Sequence, residues 1–350
     1  MLYQHVDIQG IAYETPPEII TSAEIEERLA PVYRHLKLPE GRLELMTGIR
    51  ERRLWPRGFM PSAAAAAAGA KVLAQTGAEC AEIGALINCS VSRDCLEPAT
   101  ATIVHAALGL SPAAPAFDIS NACLGILTGM IAGANMIELG QADKVLLVSG
   151  ENSRSLLEST IQAMLEDPGL TRQSVKPYFA SLTIGSGAVA VLLSRRSDSG
   201  DGGGHRLCGG ASLSVTEYNG LCRGNADKSM ADGQDVLMNT DSEELLRRGV
   251  EAAGRTWTLF AAETGWDDAS IGCYCTHQVG TAHRRLLFET LGLDPAKDVP
   301  TIECWGNTGS VSCPLTAALA AERGALRRGM RLGMLGIGSG INCTILGVEW

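Results

Sequence analysis

The stretch Asp118–Gly129 reads DISNACLGILTG. A polar strand end comes first, followed by a turn of small residues that holds Cys123, and then by an apolar segment with helical spacing. A helix that starts near Leu124 would place its N-terminal N–H groups and its dipole beside the sulfur. Both would stabilise a thiolate, so the stretch predicts a nucleophile with a lowered pKa. A buried packing cysteine is the alternative that this setting alone leaves open.

Buried strands alternate with helices on both sides of this stretch. The apolar runs Ile83–Val91, Lys144–Gly150 and Gly187–Ser194 are typical of strands that are covered on both faces. The alanine-rich run Ser62–Gly77 predicts a packed helix, because alanine has the highest helix propensity. This alternation predicts a layered α/β architecture.

The chain resembles two copies of one α/β unit. The sequence IGSG occurs at Ile184–Gly187 and again at Ile337–Gly340, each time ahead of an apolar strand. The SNACLG segment has a positional counterpart in GNTGSVS at Gly306–Ser312. We therefore predict an N-terminal half over residues 1–196 and a C-terminal half over residues 205–350. Equivalent helix N-termini of the two halves would then meet near a pseudo-twofold axis.

Three further features complete this organisation. The polar, glycine-rich run Arg195–Arg206 predicts a linker between the halves. After it, the segment Asn239–Gly254 predicts a helix that is capped by Asp241 or Ser242. The first copy is longer than the second, and the extra residues fall within Glu151–Phe179.

The bulk composition limits the classes of partner and compartment. The net charge of −10, without a long basic run, argues against nucleic acid and anionic membrane surfaces as partners. The chain does not begin with a basic segment and an apolar one, and no apolar run approaches the ~18 residues of a membrane span. The eleven cysteines are scattered, many of them in apolar runs, as is typical of reduced thiols. We therefore expect a cytoplasmic protein without a signal peptide or membrane span.

Several motifs in one order resemble those of the thiolase superfamily, on its ketoacyl synthase III branch. They are LMTGIRERR, SNACLG, THQVG, WGNTGSVS and LGIGSG, and the duplication accompanies them nearly end to end. The resemblance implies a thiolase-like five-layered αβαβα fold, a homodimer and a Cys–His–Asn site that joins acyl thioesters. It implies neither a bound cofactor nor a metal, since CoA serves as the carrier of substrate and product.

Within that branch, two segments look most like the head-to-head acyl-CoA condensing thiolases of bacterial olefin biosynthesis. These are 92–125, which contains the Glu97–Pro98 pair, and GIGSGINC at 336–343. The resemblance implies that Glu97 reaches the partner subunit's site and removes an α-proton from an acyl thioester. A solvated loop carboxylate, or an acid favoured by a helix dipole, is the alternative for Glu97.

His277 and Asn307 are the partners that the motifs suggest for Cys123. The C-x-C-x-H-x₅-H spacing around His277 leaves a zinc site or a core histidine as alternatives. Asn307 stands in a glycine-flanked turn, where a turn or N-cap asparagine is the alternative. In the family, the two side chains would donate hydrogen bonds to an oxyanion. A second oxyanion hole would use the backbone N–H groups of Cys123 and Ser339.

The chain departs from the family pattern at positions that handle the CoA or carrier arm. Gly280 and Met46 stand where the family usually has asparagine and arginine, and Arg42 stands in place of a tryptophan. Arg42 and Gly306 are the further residues that we assign to substrate binding. The resemblance therefore leaves the approach path of the acyl donor open. It also leaves open whether an acyl carrier protein delivers the donor.

The sequence predicts an acyltransferase that forms a C–C bond by Claisen condensation through an acyl-Cys123 intermediate. Two acyl-CoAs would condense head to head to a 2-alkyl-3-oxoacyl-CoA. The alternative is a decarboxylative 3-oxoacyl-[acyl-carrier-protein] synthase III that uses a malonyl donor and needs no base at Glu97. A non-catalytic thiolase-fold partner is the third possibility, although a scaffold would need none of Cys123, His277 and Asn307.

Overall fold

A computed structural model describes residues 1–197, 203–224 and 237–350. The strands are β1 (Val6–Glu14), β2 (Glu18–Thr21), β3 (Glu51–Leu54), β4 (Ala85–Asn88), β5 (Ala116–Asp118), β6 (Lys144–Glu151), β7 (Gly187–Arg195), β8 (His205–Ser214), β9 (Cys222–Gly224), β10 (Met238–Thr240), β11 (Cys273–Thr276), β12 (Arg331–Gly338) and β13 (Asn342–Glu349). The helices are α1 (Ser22–Arg28), α2 (Ala30–Leu36), α3 (Arg42–Thr47), α4 (Pro61–Thr76), α5 (Thr100–Leu108), α6 (Gly125–Glu138), α7 (Arg154–Glu166), α8 (Ser242–Thr264), α9 (Thr281–Leu291), α10 (Ile302–Trp305) and α11 (Ser312–Glu322).

Nine strands form one sheet in the order β11-β12-β13-β8-β1-β7-β6-β4-β5. Its two parts repeat one pairing pattern, since β7 and β13 are antiparallel to both neighbours. Likewise, β4 lies parallel to β6 and β11 lies parallel to β12. The two parts join where β1 and β8 pair over Asp7–Arg206 and Ile8–His205. At the far edge of the first part, β5 pairs with β4.

Helices form three further layers around these two parts. The central layer lies between the two parts of the sheet and contains α6 and α11. Helix α6 contacts β6, β7 and β13, and α11 contacts β1, β11 and β12. Outside, α4 covers β1, β6 and β7, while α8 covers β8, β12 and β13. The repeated pairing and this layering confirm the predicted αβαβα fold built from two similar halves. The boundaries at 196 and 205 stay predictions, because the predicted linker lies partly outside the described residues.

Glycines allow the first central helix to approach the sheet closely. A Cβ on Gly125 would lie 1.8 Å from the carbonyl oxygen of Cys89, and one on Gly129 would lie 2.5 Å from the Cys89 sulfur. Only glycine fits where a helix passes so near another backbone. The start of α6, two residues after Cys123, is therefore fixed against the end of β4.

The predicted helices are present where the sequence placed them. The alanine-rich run forms α4, which begins with Pro61 and ends before Gly77 in a left-handed C-cap. Asp241 caps α8, since its carboxylate accepts a hydrogen bond from the Glu244 N–H at 3.1 Å. The long excursion of the first half contains α7, whose residues Leu157 and Ile161 share a core with α1 and α2. No helix in the described ranges is long and apolar enough to cross a membrane.

Candidate active site

Cys123 lies in a 3₁₀ turn, Ala122–Leu124, that leads directly into α6. Ala122 has a φ of +46°, a left-handed conformation that costs a residue with a Cβ about 1–2 kcal/mol. The Asn121 side chain braces this turn, because its Nδ2 donates to Thr128 Oγ1 at 2.9 Å. The turn therefore presents Cys123 to the wall of a cavity of about 300 Å³.

The Cys123 side chain rests as a thiol. Burial raises the pKa of Cys123 to about 12, and the Glu151 carboxylate and the Cys222 thiol add to the rise. The expectation of a lowered pKa is therefore wrong, because desolvation of the thiolate outweighs the favourable N–H groups of the helix start. Cys123 must lose its proton in the course of its reaction.

His277 follows β11 and faces the same cavity. Its Nε2 lies 3.1 Å from Asn307 Oδ1, and the Gly309 N–H donates to the same oxygen at 3.0 Å. Since an N–H identifies this oxygen as the acceptor, His277 Nε2 carries the proton in the shared contact. Burial lowers the pKa of His277 against the opposing effect of the Asn307 hydrogen bond, so the imidazole is neutral near pH 7.

Gln278 is a support that the sequence analysis did not single out. Its Oε1 accepts hydrogen bonds from the N–H groups of Thr301 at 2.8 Å and Ile302 at 2.9 Å. Its Nε2 donates to the Val299 carbonyl at 2.8 Å, and the side chain is only 2% exposed. This clamp joins the loop after β11 to the segment that leads to Asn307. The signal in the sequence was an amide directly after the motif histidine.

Backbone contacts hold Asn307 from both sides. Its N–H donates to the Thr183 carbonyl at 2.9 Å, and its carbonyl accepts from the Gly185 N–H at 2.8 Å. Gly306 has a φ of +64°, and a Cβ there would lie 2.7 Å from the Thr183 oxygen. Gly306, which we assigned to substrate binding, therefore shapes this turn and does not line the cavity. The Asn307 NH₂ group has no partner in the described part of the chain and is a free donor.

The turn after β12 completes the cavity wall next to Cys123. Ser339 lines the cavity, and a Cβ on Gly338 would lie 3.6 Å from the backbone nitrogen of Cys123. Asn342 links the two turns, because its Nδ2 donates to Asn121 Oδ1 at 2.9 Å and lies 3.5 Å from the Ser339 carbonyl. The close approach agrees with a role for the Cys123 and Ser339 N–H groups, which stays a prediction. Asn342 was missed although it stands inside the GIGSGINC motif.

The rest of the cavity wall is mainly apolar. Its larger apolar side chains are those of Met46, Phe179, Ile184, Met238, Leu245, Leu246 and Ile337. Such a wall suits an acyl chain, since burying methylene groups stabilises a complex by about 0.8 kcal/mol each.

The histidine and cysteines that suggested zinc are separated in the structure. Cys273 and Cys275 are buried in the core, whereas His283 lines the cavity. Burial, together with the nearby His277, lowers the pKa of His283 to about 3. Among the described residues, no three His, Cys, Asp or Glu side chains are grouped to hold a metal ion.

Glu97 does not line the cavity of its own chain. It is exposed, in the loop between β4 and α5. Two carboxylates fix this loop: Asp94 accepts from the Ser62 N–H at 2.9 Å, and Asp118 accepts from the Thr100 N–H at 3.0 Å. A single chain therefore brings together the cysteine, histidine and asparagine of the motifs but leaves the glutamate outside.

Arg42, the other residue that we assigned to substrate binding, also lies behind the wall. Its guanidinium is 5.9 Å from the centre of the Phe179 ring, and Phe179 lines the cavity. The contact of Arg42 with the cavity wall therefore runs through that ring.

Known proteins resemble the chain along its whole length. The family profile described as 3-oxoacyl-[acyl-carrier-protein] synthase III matches residues 117–205, and the profile of its C-terminal part matches 261–350. An acyl-CoA:acyl-CoA alkyltransferase of Shewanella oneidensis is 42% identical, with 100% of both chains covered. One from Xanthomonas campestris is 38% identical, also over 100% of both.

Solved structures of Xanthomonas campestris OleA resemble the fold closely. A glutamate-to-glutamine variant is 38% identical with a TM-score of 0.94, covering 100% of this chain and 98% of that one. A cysteine-to-serine variant with bound lauric acid and lauroyl-CoA has a TM-score of 0.93 at 38% identity, with 100% of both chains covered.

Proposed function

Because the chain belongs to the 3-oxoacyl-[acyl-carrier-protein] synthase III family, on the branch of the acyl-CoA:acyl-CoA alkyltransferases, we propose that it joins two acyl-CoAs head to head. The product is a 2-alkyl-3-oxoacyl-CoA, and the enzyme is an acyltransferase. The observation that carries the proposal is that Cys123, His277 and Asn307 line one mainly apolar cavity.

In the first half-reaction, the Cys123 sulfur attacks the carbonyl carbon of an acyl-CoA. The C–S bond to CoA breaks, and CoA leaves as a thiol with the proton that Cys123 gives up. The oxyanion that forms in between accepts hydrogen bonds from the backbone N–H groups of Cys123 and Ser339. The raised pKa of Cys123 makes transfer of the proton to the leaving sulfur part of this step.

In the second half-reaction, Glu97 removes an α-proton from a second acyl-CoA. The Asn307 NH₂ group, which is a free donor, and His277 Nε2–H, which turns from Asn307 Oδ1 to the substrate, stabilise the enolate oxygen. The enolate carbon attacks the acyl-Cys123 carbonyl, a C–C bond forms and the C–S bond to Cys123 breaks. The proton held by Glu97 returns to the cysteine, which restores the starting state.

Glu97 does not line the cavity of its own chain, so the proposal includes a homodimer in which it acts at the partner's site. Three exposed apolar side chains lie near Glu97. Val91 and Leu96 belong to the same loop and are 54% and 64% exposed, and Phe117 in the edge strand β5 is 37% exposed. An exposed apolar surface of this kind favours association with a partner. Twofold symmetry would place each Glu97 at the other subunit's cavity.

We also infer that the donor is delivered by CoA and that the protein works in the cytoplasm. The net charge of −10 disfavours an acidic carrier protein. All eleven cysteines are free, which suits a reducing compartment.

The test is incubation with a long-chain acyl-CoA alone, followed by mass spectrometry of the intact protein and of the product. We expect an acyl adduct on Cys123 and a product that contains two acyl chains. The Glu97→Gln variant should form the adduct but not the product, because an amide cannot take the α-proton. A product that appears only with a malonyl donor, and that gains two carbons, would instead establish the decarboxylative synthase.

A mixture of two inactive variants tests the shared site. In a dimer of Cys123→Ser and Glu97→Gln chains, one of the two sites has both an intact cysteine and an intact glutamate from the other chain. Since half of randomly mixed dimers are of this kind, roughly a quarter of the wild-type rate should return. If no activity returns while the chains do exchange, Glu97 acts within its own chain or not at all.

A further inference from the structure

Glu151 is a buried carboxylate at the end of β6, and the mechanism above does not use it. It is 6% exposed. Its Oε1 accepts hydrogen bonds from the Val91 N–H at 2.9 Å and from Ser310 Oγ at 2.6 Å. Its Oε2 accepts from the Ser92 N–H at 3.0 Å and from Ser92 Oγ at 2.9 Å. No lysine or arginine in the described part of the chain forms an ion pair with it.

The groups that Glu151 binds belong to the segments that carry the reacting residues. Ser92 opens the loop that presents Glu97, five residues further along the chain. Ser310 follows Gly309, whose N–H binds the Asn307 side chain. The two segments come from different halves of the chain, and Glu151 is the side chain that hydrogen-bonds to both.

We propose that Glu151 is a positioning residue that fixes the loop carrying Glu97 relative to the turn carrying Asn307. This inference rests on the proposed function, since the loop matters only if Glu97 acts in condensation. In the dimer, Glu151 of one subunit would set the direction in which its own Glu97 enters the partner's cavity. It would also hold the Asn307 donor of its own cavity in place.

The position requires a carboxylate and not an amide. Glu151 is the acceptor in all four of its hydrogen bonds. Two of the donors are backbone N–H groups, which cannot rotate away. A carboxylate only accepts, whereas a glutamine would direct its own NH₂ at one pair of these donors. The Glu151→Gln substitution therefore conserves shape but breaks one side of the link.

The charge of Glu151 gives a second, independent readout. It is one of the groups that raise the pKa of Cys123, after burial itself. Besides Cys123, the titratable groups that line the cavity are Cys222, His277 and His283, whereas Glu151 lies outside its lining. Removing the negative charge should lower the pKa of Cys123, so its labelling by iodoacetamide should speed up at a given pH below about 12.

The experiment compares wild-type and Glu151→Gln full-length protein in the two half-reactions. We expect acylation of Cys123 to persist, while formation of the two-chain product falls by about a hundredfold, as a misplacement of about 1 Å can cause. The pH profile of iodoacetamide labelling at Cys123 should shift to lower pH. A merely structural role would slow both half-reactions together, whereas the labelling profile reports the charge of Glu151.

Glu26→Gln is the matched control for the chemical change. Glu26 is 7% exposed and accepts from the N–H groups of Gly41 and Leu43, both at 2.6 Å, and from Tyr33 Oη at 3.1 Å. It should lose stability as Glu151→Gln does, without a shift in the labelling profile of Cys123.

Ser310→Ala keeps the inference testable if Glu151→Gln does not fold. It removes one hydrogen bond from Glu151 but keeps the charge, so condensation should fall while the labelling profile stays that of wild type. Wild-type product formation in Glu151→Gln, or an equal loss of acylation and of condensation, would overturn the inference. If wild-type protein forms no two-chain product, the proposed function fails, whereas the labelling comparison still reports on Glu151.

Discussion

The turn that carries Cys123 and the turn that carries Asn307 occupy matching places in the two halves, but their backbones differ. Each runs through a 3₁₀ segment into a central helix, Ala122–Leu124 into α6 and Gly309–Val311 into α11. The left-handed residue of the first turn is Ala122, with a φ of +46°, whereas the second turn uses Gly306 and Gly309, at +64° and +57°.

The difference follows from what surrounds each turn. Another backbone passes close to the second turn, since a Cβ on Gly306 would lie 2.7 Å from the Thr183 carbonyl. Ala122 has a Cβ, so its left-handed backbone is strained. Strained residues of this kind cluster at reactive sites. One scaffold thus places a thiol at the cavity in one half and a fixed hydrogen-bond donor in the other.

The largest expected effect comes from removing the thiol of the first turn. Cys123→Ala should abolish the acyl adduct and lower product formation by at least about four orders of magnitude, because Cys222, the other cysteine that lines the cavity, lies in β9 and not in the turn that leads into α6. Intact-protein mass spectrometry and product analysis measure both. Cys313→Ala, which removes a buried thiol at the start of α11, is the control and should keep its activity. An adduct of equal amount in Cys123→Ala would place the nucleophile elsewhere.

Removing the donor of the second turn should have a smaller effect. Asn307→Ala should keep Cys123 available but lower kcat by roughly 10²–10³, the usual loss for one oxyanion donor. Steady-state kinetics with a long-chain acyl-CoA measure the change. An unchanged kcat would show that the Asn307 amide only shapes its turn, as the alternative interpretation of the sequence holds.

The smallest effects concern the backbones of the two turns, and they should have opposite signs. Ala122→Gly should relieve more left-handed strain than glycine costs in unfolded-chain entropy, raising the free energy of unfolding by about 0.5–1 kcal/mol. Gly309→Ala should lower it by about 0.5–1 kcal/mol, because it introduces the same strain and gains back the entropy that glycine costs. Urea denaturation of both variants measures the pair. Shifts of the same sign would show that the two turns do not differ in the way described.

The layered fold could be predicted from the sequence because its signals are local and repeated. The strands near Ile83 and Lys144, the alanine-rich helix and the Asp241 cap each depend on short stretches of chain. The motifs also indicated which side chains meet, and Cys123, His277 and Asn307 do line one cavity. Their catalytic roles remain predictions that the variants above test.

What the sequence did not reveal depends on burial and on contacts between distant segments. The Cys123 pKa was predicted in the wrong direction because the helix start is visible in the sequence, but the degree of desolvation is not. Glu151 and Asn342 each connect segments far apart in the chain, so no spacing identified them. A lone acid that ends a buried strand, as Glu151 does in VSGEN, was the one available sign.

The protonated state of Cys123 also affects how resistant the protein is to oxidation. Peroxide oxidises thiolates and not thiols, and it converts them through sulfenic acid to forms that the cell cannot reduce. With its pKa raised to about 12, Cys123 is almost entirely a thiol between turnovers. An enzyme built in this way has little need of a second cysteine to reverse its oxidation, because only a very small fraction of the resting side chain is in the form that peroxide attacks.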